Sequence, residues 1–217
     1  MSLEPVLIGR TRINIDNYDV DTSNIDYSKI KCLVEKFIID NKISVLPIDV
    51  IDIATRNNWV VVPYSNISES ILDIYEEIMY TDWGFTVYYN GKYFIFYNNS
   101  IKIGSQRFTI AHEIGHIVLD HFECSDTTTR EIEANDFSAK LLMPLDIING
   151  CKISSNEELA SLCGVSLSAA SYGLKRLEKN RNRKSKLNNV RNEIIQKQFK
   201  NFIKKYLNKK SEFKDDK

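Results

Sequence analysis

No stretch of this 217-residue sequence is a long hydrophobic run. Nothing in it nears the ~18 consecutive apolar residues of a membrane-spanning helix, so no membrane partner is expected. Met1 to Arg12 lacks the apolar centre of a signal peptide, which points to a cytoplasmic location. The chain also has no Cys-x-x-Cys pair. Its four cysteines, Cys32, Cys124, Cys151 and Cys163, are scattered, and they read as buried or idle thiols in a reducing compartment rather than a disulfide framework. There is no internal repeat.

Net charge is absent too, with 29 basic and 29 acidic residues, but the balance is uneven. Between Lys175 and Lys217 stand 16 of the basic residues and 5 of the acidic ones, an excess of eleven positive charges that the rest of the chain offsets. Such asymmetry fits either a solvated basic helix or a tail that meets a polyanionic partner such as nucleic acid.

The sequence does have the material for a core. Apolar residues make up 43% and charged residues 27%, as in an ordinary globular protein of one domain with a small additional element. Residues 1–26 read as a polar, irregular lead-in. Ile30, Leu33, Val34, Phe37 and Ile38 recur at helical spacing between Tyr27 and Asn41. A second helix follows Pro47 and ends near Asn57-Asn58, and Trp59–Val62 reads as a short buried strand stopped by Pro63. Residues 66–82 are ambiguous, since Ile67, Ile71, Ile74 and Ile78 fit a helix among frequent Ser and Asp. Phe85–Tyr89 and Lys92–Tyr97 are β-prone runs joined by Asn90-Gly91, a strong hairpin signal.

A helix is then expected from Gly104-Ser105 through Val118, and another from Arg130 to Met143, ended by Pro144. Asn149-Gly150 reads as a polar link. Two short helices around Gly164 follow, resembling a helix-turn-helix that presents Ser168, Ser171, Tyr172, Lys175 and Arg176. Lys186–Lys209 reads as a basic amphipathic helix with Leu187, Val190, Ile194, Phe199, Phe202, Ile203 and Tyr206 on one side. The expected organisation is a catalytic region at 27–150, a helical pair at 151–180 and a basic helix and tail at 181–217.

The chemistry concentrates at His112-Glu113-Ile114-Gly115-His116. Two histidines four residues apart lie one turn apart on one helix face, where two imidazoles can share a metal ion. Glu113, slightly rotated, can act on a water without ligating the metal, which is the logic of the HExxH pattern in zinc peptidases. With only three histidines in the chain, the pattern is rare by chance; the bland alternative is two surface histidines on an ordinary helix. Gly115 is expected to let another backbone approach this helix closely.

Catalytic zinc usually takes three protein ligands and keeps one position open. A histidine six residues beyond His116 would make a metzincin, but Phe122 stands there and Leu119 replaces the glycine that pattern requires. His121 is one residue out of place, and on a continuing helix it would point away. A carboxylate from the next helix fits better. Glu131 lies one turn before Asn135, so a ligand and a group that orients a ligand share one face. Glu133, about 200° round from Glu131, competes for the role, but its phase turns it toward solvent or the helix start. His121 and Asn135 are candidates for supporting the ligands. The aromatic hairpin offers an edge to which an extended substrate could add.

Arg107–His116, followed by Glu131-x-x-Ala134-Asn135-x-Phe137-x-Ala139-x-Leu141-Leu142-Met143-Pro144, resembles the ImmA/IrrE family of cytoplasmic HExxH metallopeptidases over roughly residues 45–150. Ser138 departs from the alanine that many members have. The resemblance implies an α+β, zincin-like (gluzincin-type) catalytic domain followed by helices, with Zn2+ held by His112, His116 and Glu131 and with Glu113 as base. It also implies a protein substrate, a helix-turn-helix repressor of a mobile element or a stress-response regulator. The rival reading is a DNA-binding or protein-binding regulator whose metal site is structural or silent.

Overall fold

Asn90 and Gly91 both take positive φ, 48° and 75°, and so close the two-residue turn expected of Asn-Gly. The turn joins β3 (Gly84–Tyr89) to β4 (Lys92–Tyr97), which pair antiparallel from Gly84 opposite Tyr97 to Tyr89 opposite Lys92. In this computed structural model, which describes residues 6–10, 22–67, 83–121, 127–182 and 190–215, the hairpin is the centre of a four-stranded sheet. Its order is β1-β3-β4-β2, where β1 is Val6–Arg10 and β2 is Val60–Pro63.

β1 corrects the expected irregular lead-in. Val6–Arg10 pairs antiparallel with β3, and its ladder slips between Leu7 and Gly9. Five residues in a polar stretch carry little periodic signal, and this strand draws its hydrogen bonds from its neighbour. β2 pairs parallel with β4 and is mostly half-exposed rather than buried, because it forms the opposite edge of the sheet. Neither strand of the hairpin therefore offers the open edge anticipated for it: β1 lines β3 and β2 lines β4.

The helices are α1 (Tyr27–Asp40), α2 (Val50–Arg56), α3 (Ile103–Val118), α4 (Thr127–Leu142), α5 (Leu145–Gly150), α6 (Asn156–Cys163), α7 (Leu167–Asn182) and α8 (Val190–Asp215). The protein is thus α+β. Asp49 caps α2 by accepting hydrogen bonds from the backbone N–H groups of Ile51 and Asp52 at 3.1 and 3.0 Å. α4 begins three residues before the expected Arg130, through a run of threonines whose β-branching disguises a helix in sequence. Asn149-Gly150 closes the short helix α5 instead of forming a link. The ambiguous stretch at 68–82, Cys124 and Leu187 lie outside the described residues.

The chain divides into two compact units. The first, Met1–Lys31 with Asp49–Ala139, contains the sheet, α2 and α3. There α3 packs against β1, β3, β4 and α2, burying Ile110, Ala111 and Ile114. Gly84 permits the close approach of β3 to α3: a Cβ there would stand 2.5 Å from Thr109 Cγ2 and 2.6 Å from the Phe96 carbonyl oxygen.

The second unit, Cys32–Ile48 with Lys140–Lys217, is helical. Gly164, at φ 64°, ends α6 in a left-handed cap and turns the chain into α7. The apolar stripe of α8 is buried at Ile195 and Phe199, whereas Val190 and Ile194 are exposed, so the stripe starts later than its spacing suggested. Gln198 Nε2 donates to the carbonyl of Ile43 at 3.1 Å, Arg191 pairs with Glu35 at 3.1 Å, and Tyr206 donates to Glu158 at 2.8 Å. Lys210 pairs with Glu158 as well. Cys151 and Cys163 are buried free thiols and Cys32 is a half-buried one; burial pushes the Cys151 thiol up to about 11, which keeps it protonated and unreactive.

Candidate active site

His112, Glu113 and His116 occupy the buried middle of α3, with 0, 0 and 1% of their surface exposed. Burial of three polar groups in one turn is costly unless each is satisfied. The surrounding residues show how this is achieved. Asn135 of α4 presents its side-chain oxygen 2.8 Å from His112 Nδ1. An amide oxygen only accepts, so Nδ1 carries the ring proton and Nε2 is left as a bare lone pair.

A longer chain of contacts sets His116. The helix stops at Val118, and Asp120 at φ 59° turns the chain so that the His121 N–H bonds back to the carbonyl of His116 at 3.1 Å. The premise of a continuing helix therefore fails, and His121 comes back to its neighbour rather than pointing away. Its Nδ1 lies 2.8 Å from His116 Nδ1, and its Nε2 lies 3.1 Å from Glu133 Oε2. Burial, with His116 and Arg130 nearby, holds the pKa of His121 down to about 3, so the ring is neutral. Its single proton goes to Glu133, which only accepts. His121 Nδ1 then accepts from His116 Nδ1–H, and His116 Nε2 becomes the second bare lone pair. Glu133 is thus only partly turned to solvent, and its partner is His121.

The two Nε2 atoms are 3.0 Å apart, and the Glu131 carboxylate stands 3.3 Å from His112 Nε2 and 3.4 Å from His116 Nε2. The two separations from Glu131 match the edge of a tetrahedron whose metal–ligand bonds are about 2.0–2.1 Å, roughly 3.3–3.4 Å, and the nitrogen pair is somewhat closer. Glu131 Oε2 is buried with no properly oriented hydrogen bond among the described residues, despite its nearness to His112. Two bare nitrogens and an orphaned carboxylate oxygen converging on one point repel one another unless a cation lies between them. Among the described residues, His112, His116 and Glu131 form the group able to hold a metal ion, and their donor set suits zinc.

The same proximity shows in the titration of the residues without metal. Burial pushes the Glu131 carboxyl up, but the two imidazoles outweigh it and hold the group at about 2. Burial pulls His112 down, and the nearness of the Glu131 carboxylate with the charge of Glu113 outweighs that and raises it.

Glu113 projects from the same turn but is held by the sheet. Thr86 of β3 donates its hydroxyl to Glu113 Oε2 at 2.8 Å. Thr86 was not among the expected site residues; the available signal was a single threonine in an aromatic, apolar strand that packs on α3. Gly115 permits the approach of α4: a Cβ there would stand 3.3 Å from both Cα and the carbonyl oxygen of Ala134 and 3.2 Å from the ring of Phe137. Ser138, fully buried, donates to the carbonyl of Asn135 at 2.9 Å, which steadies the residue that orients His112.

Residues 70–175 match the Peptidase_M78 family, described as the IrrE N-terminal-like domain. No curated protein matches the chain significantly. The matched segment contains α3, α4, the hairpin and the His-His-Glu group, and its domain is zincin-like. Over this segment, just under half of its length, the chain is similar to the ImmA/IrrE family, and the match supports a metallopeptidase-like function.

Proposed function

We propose that the protein is a zinc-dependent endopeptidase of the cytoplasm that cleaves a specific regulatory protein, a helix-turn-helix repressor of a mobile element or stress response. The observation that carries the reading is the convergence of two bare imidazole nitrogens and the Glu131 carboxylate beside a further buried glutamate, Glu113. A purely structural zinc site has no use for that second carboxylate. His112, His116 and Glu131 would hold the ion. When bound, zinc supplies a Lewis acid for the scissile carbonyl and lowers the pKa of a water to about 7.

The chain's own residues supply the remaining chemistry. Glu113 takes the proton from the attacking water and passes it to the leaving amine nitrogen, so that the C–N bond breaks as an acid and a neutral amine form. Thr86 fixes the rotation of the Glu113 carboxylate. Asn135 fixes the ring of His112, and Glu133 through His121 fixes the ring of His116.

The test is co-expression with the regulator encoded beside this chain, comparing wild type with Glu113→Gln. Loss of the regulator with wild type alone supports the reading; equal loss, or none, with both defeats it. Exposure of Ser168, Tyr172 and Lys175 on α7 favours a second reading, contact with DNA. Sequence-selective, salt-resistant gel shifts would support that reading instead.

A further inference from the structure

The candidate site is deeply set. Glu113 and His112 are wholly buried, His116 is 1% exposed and Glu131 8%. β1 lies beside the strand that holds Glu113.

β3 is the strand whose Thr86 touches Glu113. It has β4 on one side and β1 on the other, and among the described residues β1 has no second neighbour in the sheet. β1 also packs on α3, the helix that carries Glu113. Gly9 lies opposite Thr86, Leu7 opposite Val87, and Ile8 is the extra residue between them. Such a bulge re-aims a side chain and recurs beside active sites. Ile8 is 2% exposed, whereas Val6 and Leu7 are 45% and 38% exposed, so one large side chain anchors the front of this strand.

We propose that Val6–Arg10, seated along the outer edge of β3, is a tethered occupant of that edge, which an extended substrate segment must displace. This rests on the peptidase reading. An incoming segment replaces the main-chain ladder of β1 bond for bond, so the ladder itself selects no sequence. Selection falls on the side chain that takes the place of Ile8, followed by a small residue in the place of Gly9 opposite Thr86. The substrate class is therefore an extended segment with a large aliphatic residue next to a small one. Selectivity arises because a segment must outcompete a strand already attached to the enzyme.

The test uses the full-length zinc-loaded chain and a fluorescein-labelled synthetic peptide with the sequence of residues 4–12. Anisotropy reports binding, and mass spectrometry of the peptide afterwards reports cleavage separately. Ile8→Asp, which loosens β1, is expected to bind the peptide at least tenfold more tightly than wild type. Val6→Cys with Tyr88→Cys, facing positions on the two strands, locks β1 when oxidised. The reduced sample is expected to bind the peptide and the same sample after oxidation to bind at least tenfold less, a comparison that stands even if Ile8→Asp fails to fold. Equal anisotropy in the oxidised and reduced samples, including no binding in either, overturns the proposal. Redox-dependent binding with no cleavage of this peptide or of casein leaves β1 as the occupant and counts against the peptidase reading instead.

Discussion

Thr86 on β3 and Glu113 on α3, 27 residues apart in sequence, meet through a hydroxyl–carboxylate hydrogen bond of 2.8 Å that is buried on both sides. Thr86→Val keeps the shape and removes the donor from a buried carboxylate. The expected cost in stability is about 1–3 kcal/mol, read from urea midpoints. On the proposed mechanism, peptidase activity is expected to fall by at least about tenfold with bound zinc unchanged, because Glu113 loses its orientation while His112, His116 and Glu131 keep theirs.

His121→Phe removes the acceptor for His116 Nδ1–H. Zinc affinity, measured by competition with a chromophoric chelator, is expected to drop by about 10–100-fold. Glu133→Gln retains an oxygen that can accept from His121 and is expected to lose less than His121→Phe. Equal zinc affinity in His121→Phe and wild type would show that the contact positions nothing.

Gly115→Val places a branched side chain against the backbone of Ala134 and the ring of Phe137. Overpacking of this kind costs about 1–3 kcal/mol. Gly115→Ala is expected to cost less than Gly115→Val, and chemical denaturation of the two variants checks the order.

Glu158 titrates below its ordinary 4.5: burial pushes it up, and the hydrogen bonds from Lys210, Tyr206 and the Ser154 backbone outweigh that. A depressed folded-state pKa stabilises the protein above the unfolded value, and the contribution is lost as pH falls through the folded value. Glu158→Gln is therefore expected to lower Tm near pH 7 and to narrow its gap from wild type as pH drops below 4.5. A gap that widens in acid would contradict the sign.

Much of this arrangement was legible in the chain. Asn90-Gly91 announced the hairpin because few residue pairs tolerate two positive φ angles, and the four-residue spacing of His112 and His116 announced a shared helix face. Gly164 marked the α6–α7 turn for the same backbone reason. What escaped depended on partners distant in sequence. β1 exists through the ladder of β3. The return of His121 depends on one residue, Asp120, taking a left-handed conformation that an ordinary helix pattern does not reveal. Thr86 and Glu133 have no motif: the first acts through a helix packed across its strand and the second through that turned histidine. Residues 32–48 fall with the C-terminal helices rather than with the sheet, a long-range choice that helical spacing cannot express.

Zinc bound per chain, measured by mass spectrometry on protein purified without chelator, tests the central claim most directly. About one equivalent is expected in wild type and in Glu113→Gln, and almost none in Glu131→Gln, in line with a site of three protein ligands. A full equivalent in Glu131→Gln, or none in wild type, would contradict it.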